Sequence, residues 1–152
     1  MATTLVEPAG PDDGPALAGL RAAWAAAAGP RAQEDLGFAG RFGTWWREEQ
    51  SRRRFWLARR AGEPVGMVNL LTVERMPTPG RDGGRWGHLG NLFVLPEHRG
   101  AGIATKLVDA VLADASARGF ERVVVHPNEA SRAFWRSTAF AETTDLLVRE
   151  LG

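Results

Sequence analysis

The chain has 152 residues, a length typical of one domain that buries roughly two-thirds of its unfolded surface. Its formal net charge of +1 gives no general attraction to nucleic acid or to an anionic membrane. Cysteine is absent, which excludes disulfides, thiolate metal sites and a cysteine nucleophile. The N-terminus shows no secretory signal, and the apolar run at 22–28 is too short to span a bilayer, so we expect a cytoplasmic protein.

The first third of the chain predicts one strand followed by two helices. Residues 3–6 form a short apolar stretch typical of an edge strand. Asp12 or Asp13 is placed to cap a helix through Ala28, because short acidic side chains accept hydrogen bonds from free N–H groups at a helix start. A second helix is expected over residues 33–51, and neither helix carries a diagnostic motif.

Two strands and a loop are expected next. Residues 55–61 and 65–73 are apolar stretches joined by residues 62–64, Gly-Glu-Pro, which indicates a hairpin. Residues 75–87 hold two prolines and four glycines, so we expect a loop there. A loop of that length is often functional.

A fourth strand over residues 88–95 is followed by a helix over residues 101–118, which Gly119 ends. Apolar side chains recur along one face of that helix, at Ile103, Leu107, Val111 and Ala115. This spacing predicts that the helix packs on the sheet.

Three further elements are expected after this helix. Residues 123–125 predict a short buried strand, and Asn128 is placed to cap a helix through Thr138. Residues 140–151 are expected to supply one or two last strands.

The turn between the fourth strand and the next helix has the chemistry of a phosphate cradle. Pro96 cannot continue a central ladder and ends the strand, and Gly100 and Gly102 allow a tight turn. Arg99 adds a positive charge and a planar fork of donors that suits phosphate oxygens. The helix that follows begins with unpaired N–H groups and the positive end of its dipole.

Two common phosphate loops do not fit this turn. A dinucleotide fingerprint requires a third glycine where Thr105 stands, and a Walker loop requires glycine directly before Lys-Ser/Thr. Arg99, Gly102 and Ala104 instead form the pattern Arg-x-x-Gly-x-Ala. This pattern resembles the acyl-CoA pyrophosphate loop of the GNAT superfamily of N-acyltransferases, whose pattern is Gln/Arg-x-x-Gly-x-Gly/Ala.

The resemblance implies the GNAT fold, an α/β (α+β) architecture, for a single domain over residues 1–152. In that fold a mixed central sheet of six or seven strands is flanked by about four helices, and the fourth and fifth strands splay apart. The resemblance also implies that the pantetheine arm of acetyl-CoA lies between the parted strands, hydrogen-bonded to the backbone of residues 92–94. A backbone N–H near Val94 would then polarise the thioester carbonyl.

A second stretch, residues 128–140, resembles the family pattern Asn-x-x-Ala-x-x-x-Tyr-x-x-x-Gly-Phe. Asn128 matches the residue that contacts the cofactor arm, and Ala139 replaces the usual glycine, which predicts an ordinary backbone conformation there. Trp135 stands where many members place a tyrosine that protonates the leaving thiolate. Because indole cannot supply that proton, we expect Trp135 to pack against the cofactor arm and water or Ser137 to act as the acid.

The two family patterns define the expected cofactor site. No metal is expected, because the three histidines lack the spacing of metal ligands. The residues expected to bind acetyl-CoA are Leu92, Phe93, Val94, Arg99, Gly100, Ala101, Gly102, Ile103, Ala104, Thr105, Asn128 and Trp135.

His88 is the candidate general base that deprotonates the attacking amine. Residues 88, 90, 92 and 94 share one face of a regular strand, and imidazole titrates near neutral pH. In histone-acetylating members a catalytic glutamate stands six positions before the valine that matches Val94, which corresponds to His88. A structural hydrogen bond at the strand entry is the alternative for His88, and His126 is the second candidate base.

Two other features invite a functional interpretation. The basic run at 52–54 is typical of a solvated helix end rather than a nucleic-acid site, because no aromatic platform accompanies it. Trp45, Trp46 and Trp86 lie in segments that flank the acceptor cleft of the fold, where an aromatic wall would suit an amine.

The sequence therefore predicts an N-acetyltransferase that moves an acetyl group from acetyl-CoA to a primary amine by direct transfer in a ternary complex. The alternative is a catalytically silent acyl-CoA-binding sensor or assembly module. The acceptor is expected to be a small molecule or a peptide amine of undetermined identity. Neither nucleic acid nor a membrane is expected as a partner, and a homodimer is the one assembly left open.

Overall fold

The computed structural model describes residues 2–29 and 34–152 of the chain. Within these residues one sheet of five strands, in the order β1-β2-β3-β4-β5, carries helices on both faces. The elements in chain order are β1 Thr4–Pro8, α1 Gly14–Ala27, α2 Phe38–Glu49, β2 Arg53–Arg60, β3 Glu63–Glu74, β4 Arg85–Val94, α3 Ile103–Ala117, β5 Val123–Val124 and α4 Arg132–Ser137. The expected start of the second helix at Gln33 lies outside the described residues.

The sheet is mixed, as expected. The first four strands pair antiparallel, and β4 and β5 pair in parallel because α3 carries the chain back between them. The turn between β2 and β3 consists of Ala61 and Gly62, with φ of 49° and 81°. Positive φ at both central residues is typical of the type I′ turn, whose twist matches that of the flanking strands.

Each face of the sheet has its own apolar core. On one face α1 and α2 cover β2, β3 and β4, with Leu17 and Phe93 buried. On the other face α3 packs on the sheet with its predicted stripe of four residues, from Ile103 to Ala115, fully buried. Full burial of one such aliphatic side chain stabilises the fold by about 1.5–3 kcal/mol relative to its exposure.

The fourth strand begins at Arg85, three residues before the expected start, because Trp86 and Arg85 pair with the end of β3. Gly87 lies in this extension. A Cβ there would approach Phe120 to 3.1 Å and the Leu70 Cδ1 to 2.6 Å. The glycine therefore marks close packing within the strand rather than a loop.

The expected last strands are absent: the described residues form five strands, not six or seven. The tail after α4 has no regular structure, and Leu147 in it is 95% exposed. β5 pairs with β4 at only two positions, so it offers the tail a very short strand edge with which to form backbone hydrogen bonds. Without those bonds, ordering the tail as a strand is opposed by its conformational entropy.

The expectation of an ordinary backbone at Ala139 is also wrong, because its φ is +66°. The N–H of Phe140 bonds to the carbonyl of Trp135, and the N–H of Ala139 bonds to that of Arg136. This pair of bonds is the Schellman end of a helix, which requires a left-handed residue whatever its side chain. None of the helices in the described parts of the chain is long and apolar enough to cross a membrane.

Candidate active site

A cavity of about 260 Å³ lies at the turn between β4 and α3. Gly100 and Gly102 have φ of 82° and 75°, a left-handed conformation that glycine adopts without steric penalty. Helix α3 begins at Ile103, and the N–H of Lys106 bonds to the carbonyl of Gly102 at 3.1 Å. The N–H groups before Lys106 lack intrahelical partners, so the helix start presents donors and its positive dipole end to the cavity.

Seven of the twelve predicted cofactor-binding residues line this cavity, and His98 and Phe134 join them. The predicted residues are Val94, Arg99, Gly100, Gly102, Ile103, Ala104 and Thr105. The cavity therefore has the glycine-rich turn, the arginine and the helix start that a diphosphate requires.

Arg99 is held in place by two contacts. Its Nε donates to the carbonyl oxygen of Val94 at 3.0 Å, and its guanidinium lies 5.7 Å from the ring centre of Phe93. The two terminal nitrogens of Arg99 have no hydrogen-bond partner among the described residues. Arg99 thus satisfies the last carbonyl of β4 through Nε, while its two terminal nitrogens stay available to donate to an anion.

The remaining predicted residues lie outside the cavity lining. Asn128 uses its Oδ1 to accept from the N–H of Ser131 at 2.8 Å, which caps the turn before α4. Trp135 is 8% exposed and packs edge-on against Phe134 and Phe140 in the core. Phe134, rather than Trp135, forms the aromatic wall of the cavity. The other three, Leu92, Phe93 and Ala101, lie in β4 or in the turn itself.

The predicted splay of β4 and β5 is confirmed. The two strands pair only at Gly87 and His88, and β5 ends at Val124. Beyond this point β4 has no β5 partner, while Leu95 N–H bonds to the carbonyl of Val65 on the β3 side. Because successive N–H groups of a strand point in opposite directions, the N–H of Val94 faces the parted side.

A bulge in β4 changes which residues share a face. Leu89 and Val94 both belong to the α3-side core, although strict alternation over five positions would separate them. The bulge lies opposite Val68, at Asn91, whose φ is +55°. The expectation that residues 88, 90, 92 and 94 share one face is therefore wrong.

His88 lies on the opposite face from Val94. It is in register with Leu71 of β3, which is in register with Arg53 of β2. Its Nε2 lies 2.7 Å from Nδ1 of His126, so the two candidate bases form one hydrogen-bonded pair. Burial, the charge of His126 and the charge of Arg53, in that order, lower the pKa of His88 below its usual 6.5. A lowered pKa keeps the His88 imidazole neutral at pH 7, as a general base requires.

A chain of hydrogen-bonded polar side chains crosses the sheet beside His88. Asn69 is 1% exposed; its Oδ1 accepts from Arg53 Nη1 at 2.9 Å, and its Nδ2 donates to Asn91 Oδ1 at 2.8 Å. Glu49 anchors the other end, where hydrogen bonds from Arg52 and Arg53 lower its pKa against the opposing effect of burial. These bonds fix Arg53 and Asn91 on the face that carries His88.

The basic run at 52–54 forms ion pairs within the protein. Arg52 and Arg53 pair with Glu49, and Arg54 pairs with Asp114 of α3. The run thus ties the end of α2 to both sides of the sheet.

A second cavity, of about 290 Å³, opens between α1, α2 and the sheet. Its walls are largely aromatic, and Asn69 and Asn91 form its floor. The aromatic residues are Phe38, Phe42, Trp45 and Phe55. Trp45 lines this cavity, whereas Trp46 is buried against Gly14 and Phe55, and Trp86 lies beneath Arg122.

Three residues of the site were not predicted from the sequence: Arg53, Asn69 and Asn91. A signal for Asn69 was present, because it interrupts the apolar run of β3, and a buried amide in such a strand requires partners. Nothing in the sequence pairs it with Arg53, sixteen residues earlier. Among residues 2–29 and 34–152, no group of three or more His, Asp or Glu side chains is placed to hold a metal ion.

Comparison with known proteins agrees with this fold. The sequence profile described as "Acetyltransferase (GNAT) family" matches residues 19–140. The chain therefore belongs to the GNAT acetyltransferase family.

Solved structures show the same fold over nearly the whole chain. An acetyltransferase from Clostridium acetobutylicum, crystallised with acetyl-CoA, has a TM-score of 0.78 and 18% identity, covering 98% of this chain and 97% of its own. A GCN5-related N-acetyltransferase from Ralstonia eutropha JMP134 has a TM-score of 0.75 and 25% identity, covering 99% of this chain and 100% of its own.

Among curated proteins, N-acetyltransferase family 8 member 2 of Rattus norvegicus is 39% identical over 71 residues. The match covers 47% of this chain and 30% of the rat protein, so the chain spans less than a third of that relative.

Proposed function

We propose that this protein is an N-acetyltransferase that moves the acetyl group of acetyl-CoA directly to a primary amine in a ternary complex. The observation that carries the proposal is one continuous arrangement along β4. The phosphate cradle follows the strand, the unpaired edge lies before it, and the His88–His126 pair stands where β4 and β5 part. Family membership supports acetyl transfer as the general chemistry.

The residues of the cradle fit a diphosphate. Arg99 and the N–H groups of residues 100–105 bind its oxygens, and the Thr105 hydroxyl lies in the same lining. The pantetheine amides then follow the free edge of β4 between Leu92 and Val94. There the N–H of Val94 donates to the thioester carbonyl, where negative charge develops as the amine attacks.

His88 removes the proton that the amine must lose. An alkylammonium has a pKa near 10.4, so the amine is protonated at pH 7 and cannot attack before deprotonation. His88 Nδ1 accepts the proton while Nε2–H donates to His126 Nδ1, and the exposed His126 releases a proton from its other nitrogen to water. The free amine forms the N–C bond, the C–S bond breaks, and the acylated nitrogen releases its second proton to water, so the products are the neutral amide, the CoA thiolate and a solvated proton.

Water protonates the leaving thiolate in this scheme. Trp135 is buried and has no acidic proton to give, and the Ser137 hydroxyl donates to the carbonyl of Phe134 at 2.6 Å. A thiol of pKa about 8.5 leaves as its anion near neutral pH with a penalty of about 2 kcal/mol, so no dedicated acid is required.

Two measurements test the proposal. Calorimetry with coenzyme A is expected to detect binding, and thiol release from acetyl-CoA is expected to depend on an added amine. Tight binding of coenzyme A without thiol release from acetyl-CoA in the presence of any amine would instead establish a silent acyl-CoA-binding module. Absence of binding heat would contradict the cradle itself.

A further inference from the structure

We propose that the acceptor is an amine with a single carboxylate at the far side of an apolar body, and that Arg21 recognises this carboxylate. This inference rests on the proposed function, in which the amine is acetylated. It concerns the cavity of about 290 Å³ between α1, α2 and the sheet. Cavities that hold drug-sized ligands span about 300–1,000 Å³, so this one fits a small molecule rather than a large polycation.

The floor of the cavity locates the amine. Asn91 and Asn69 lie on the same face of the sheet as His88, and Asn91 stands on the bulge of β4 three residues before Val94. An amine that reaches the thioester beside Val94 must therefore approach along this floor. Above it, Phe42, Trp45 and Phe55 present apolar surface to the body of the acceptor.

Arg21 lines the cavity from α1, whereas Asn69 and Asn91 line it from the sheet, and stacking positions Arg21. Its guanidinium carbon lies 4.6 Å from the ring centre of Trp24, and Trp24 stacks on Phe93 with ring centres 5.5 Å apart and planes 10° apart. Trp24 and Phe93 thus connect Arg21 on α1 to β4. Arg21 lines the cavity from α1 and Asn91 lines it from β4, so the apolar body of the acceptor would span the cavity between the two residues.

The charges around the cavity favour an anionic acceptor. Its charged lining residues among those described are Arg21 and Arg41, and no described carboxylate lines it. Arg41 is paired with Asp35 at the rim, whereas Arg21 has no ion pair or hydrogen bond to a described residue. Polyamines and aminoglycosides would meet unpaired positive charge here, while one carboxylate would neutralise it.

Three probes with the same ring test this assignment: para-(aminomethyl)benzoate, its neutral amide para-(aminomethyl)benzamide, and benzylamine. Binding is followed through the change in tryptophan fluorescence, to which Trp45 contributes from the lining of the cavity. We expect the benzoate to bind about fivefold more tightly than the other two, because Arg21 remains in contact with water. Raising the salt concentration is expected to reduce this preference.

Substitutions at position 21 connect the preference to the guanidinium. Arg21→Gln is expected to abolish the preference for the benzoate, and Arg21→Lys to keep part of it. The matched control is Arg47→Gln on α2, an exposed arginine whose Nη2 bonds to Thr44 Oγ1 outside the cavity. This control is expected to leave all three affinities unchanged.

The outcomes separate acceptor recognition from catalysis. Equal binding of the three probes, tighter binding of spermidine, no detectable binding of the benzoate, or a preference that survives Arg21→Gln would each overturn the inference. If all three probes bind equally and are acetylated, the acetyltransferase stands and the anion recognition is wrong. If the benzoate is preferred through Arg21 and neither it nor benzylamine is acetylated, recognition stands and the proposed transfer is wrong.

Discussion

The turn between β4 and α3 presents main-chain N–H groups, whereas the cavity beneath α1 and α2 presents side chains from both helices and three strands. The turn needs glycine at two positions for its backbone conformation and leaves most other side chains free to vary. The cavity depends on specific contacts between residues distant in the chain, such as Arg53 with Asn69.

Under the proposed function, the turn would hold the diphosphate through its backbone and the cavity would select the acceptor through its side chains. A diphosphate is the same in every acyl-CoA, so one backbone shape serves all of them. Acceptors differ, and side chains such as Phe42, Trp45 and Arg21 can change without disturbing the turn. Substitutions on the two sides should therefore separate cofactor binding from acceptor chemistry.

The largest effect is expected at the base. His88→Gln should lower kcat/KM about 100-fold with little change in coenzyme A affinity, because His88 lies outside the cradle. The folded His88 has a lowered pKa, so the wild-type rate should fall as the pH drops below about 6.5 through that pKa. The variant should lose this acid limb, as measured by a pH–rate profile.

The paired histidine gives a graded control. His126→Gln removes a charge that lowers the pKa of His88, so the acid limb should move to higher pH. An unchanged rate and pH profile in His88→Gln would remove the imidazole from the mechanism.

The next largest effect is expected at the buried amide of Asn69, on the free energy of unfolding. Asn69→Leu leaves the Arg53 guanidinium and the Asn91 amide without their partner, which is expected to lower the free energy of unfolding by about 2–3 kcal/mol. Urea unfolding measures the loss. Asn91→Gly is the comparison: it leaves the Asn69 Nδ2 without its acceptor, but glycine relieves the positive φ at this exposed position, so a smaller loss of about 1 kcal/mol is expected. Equal losses in both variants would contradict a special role for the buried amide.

In the turn between β4 and α3, a substitution that changes only backbone strain should alter both stability and coenzyme A binding. A Cβ at Gly102 meets no atom within 4 Å, so Gly102→Ala tests only its φ of +75°. We expect a loss of about 1 kcal/mol in stability and weaker coenzyme A binding, because the N–H groups of the turn reorient. Gly40→Ala in α2, where a Cβ also meets open space, should instead gain up to about 1 kcal/mol. Calorimetry measures coenzyme A binding and urea unfolding measures stability in both variants. Identical changes in the two variants would show that position 102 does not require a positive φ.

The smallest effect is expected at the end of α4, away from the phosphate cradle and from the cavity beneath α1 and α2. Ala139→Gly relieves the left-handed strain at φ +66° and should raise the free energy of unfolding by about 0.5 kcal/mol. Ala133→Gly, at an exposed position within α4, should lower it by about 0.5–1 kcal/mol. A lower free energy of unfolding in both variants would show that the left-handed conformation at position 139 does not favour glycine.

Much of the fold was predictable from local pattern. The stripe from Ile103 to Ala115 predicted α3 within two residues, because a helix reveals its buried face through spacing alone. The start of β4 at Arg85 and the absence of strands in the tail were not predictable, since both depend on which neighbouring strand is available for pairing.

The sequence by itself determined the cradle, because a strand, two glycines, an arginine and a helix start lie within a dozen contiguous residues and act through the backbone. Only the tertiary structure decided the other side. The bulge at Asn91 places His88 on the face of α1 and α2, and the contacts of Arg53, Asn69 and His126 join segments that the chain keeps far apart. Side-chain chemistry at a distance depends on register and packing, which no single stretch of sequence encodes.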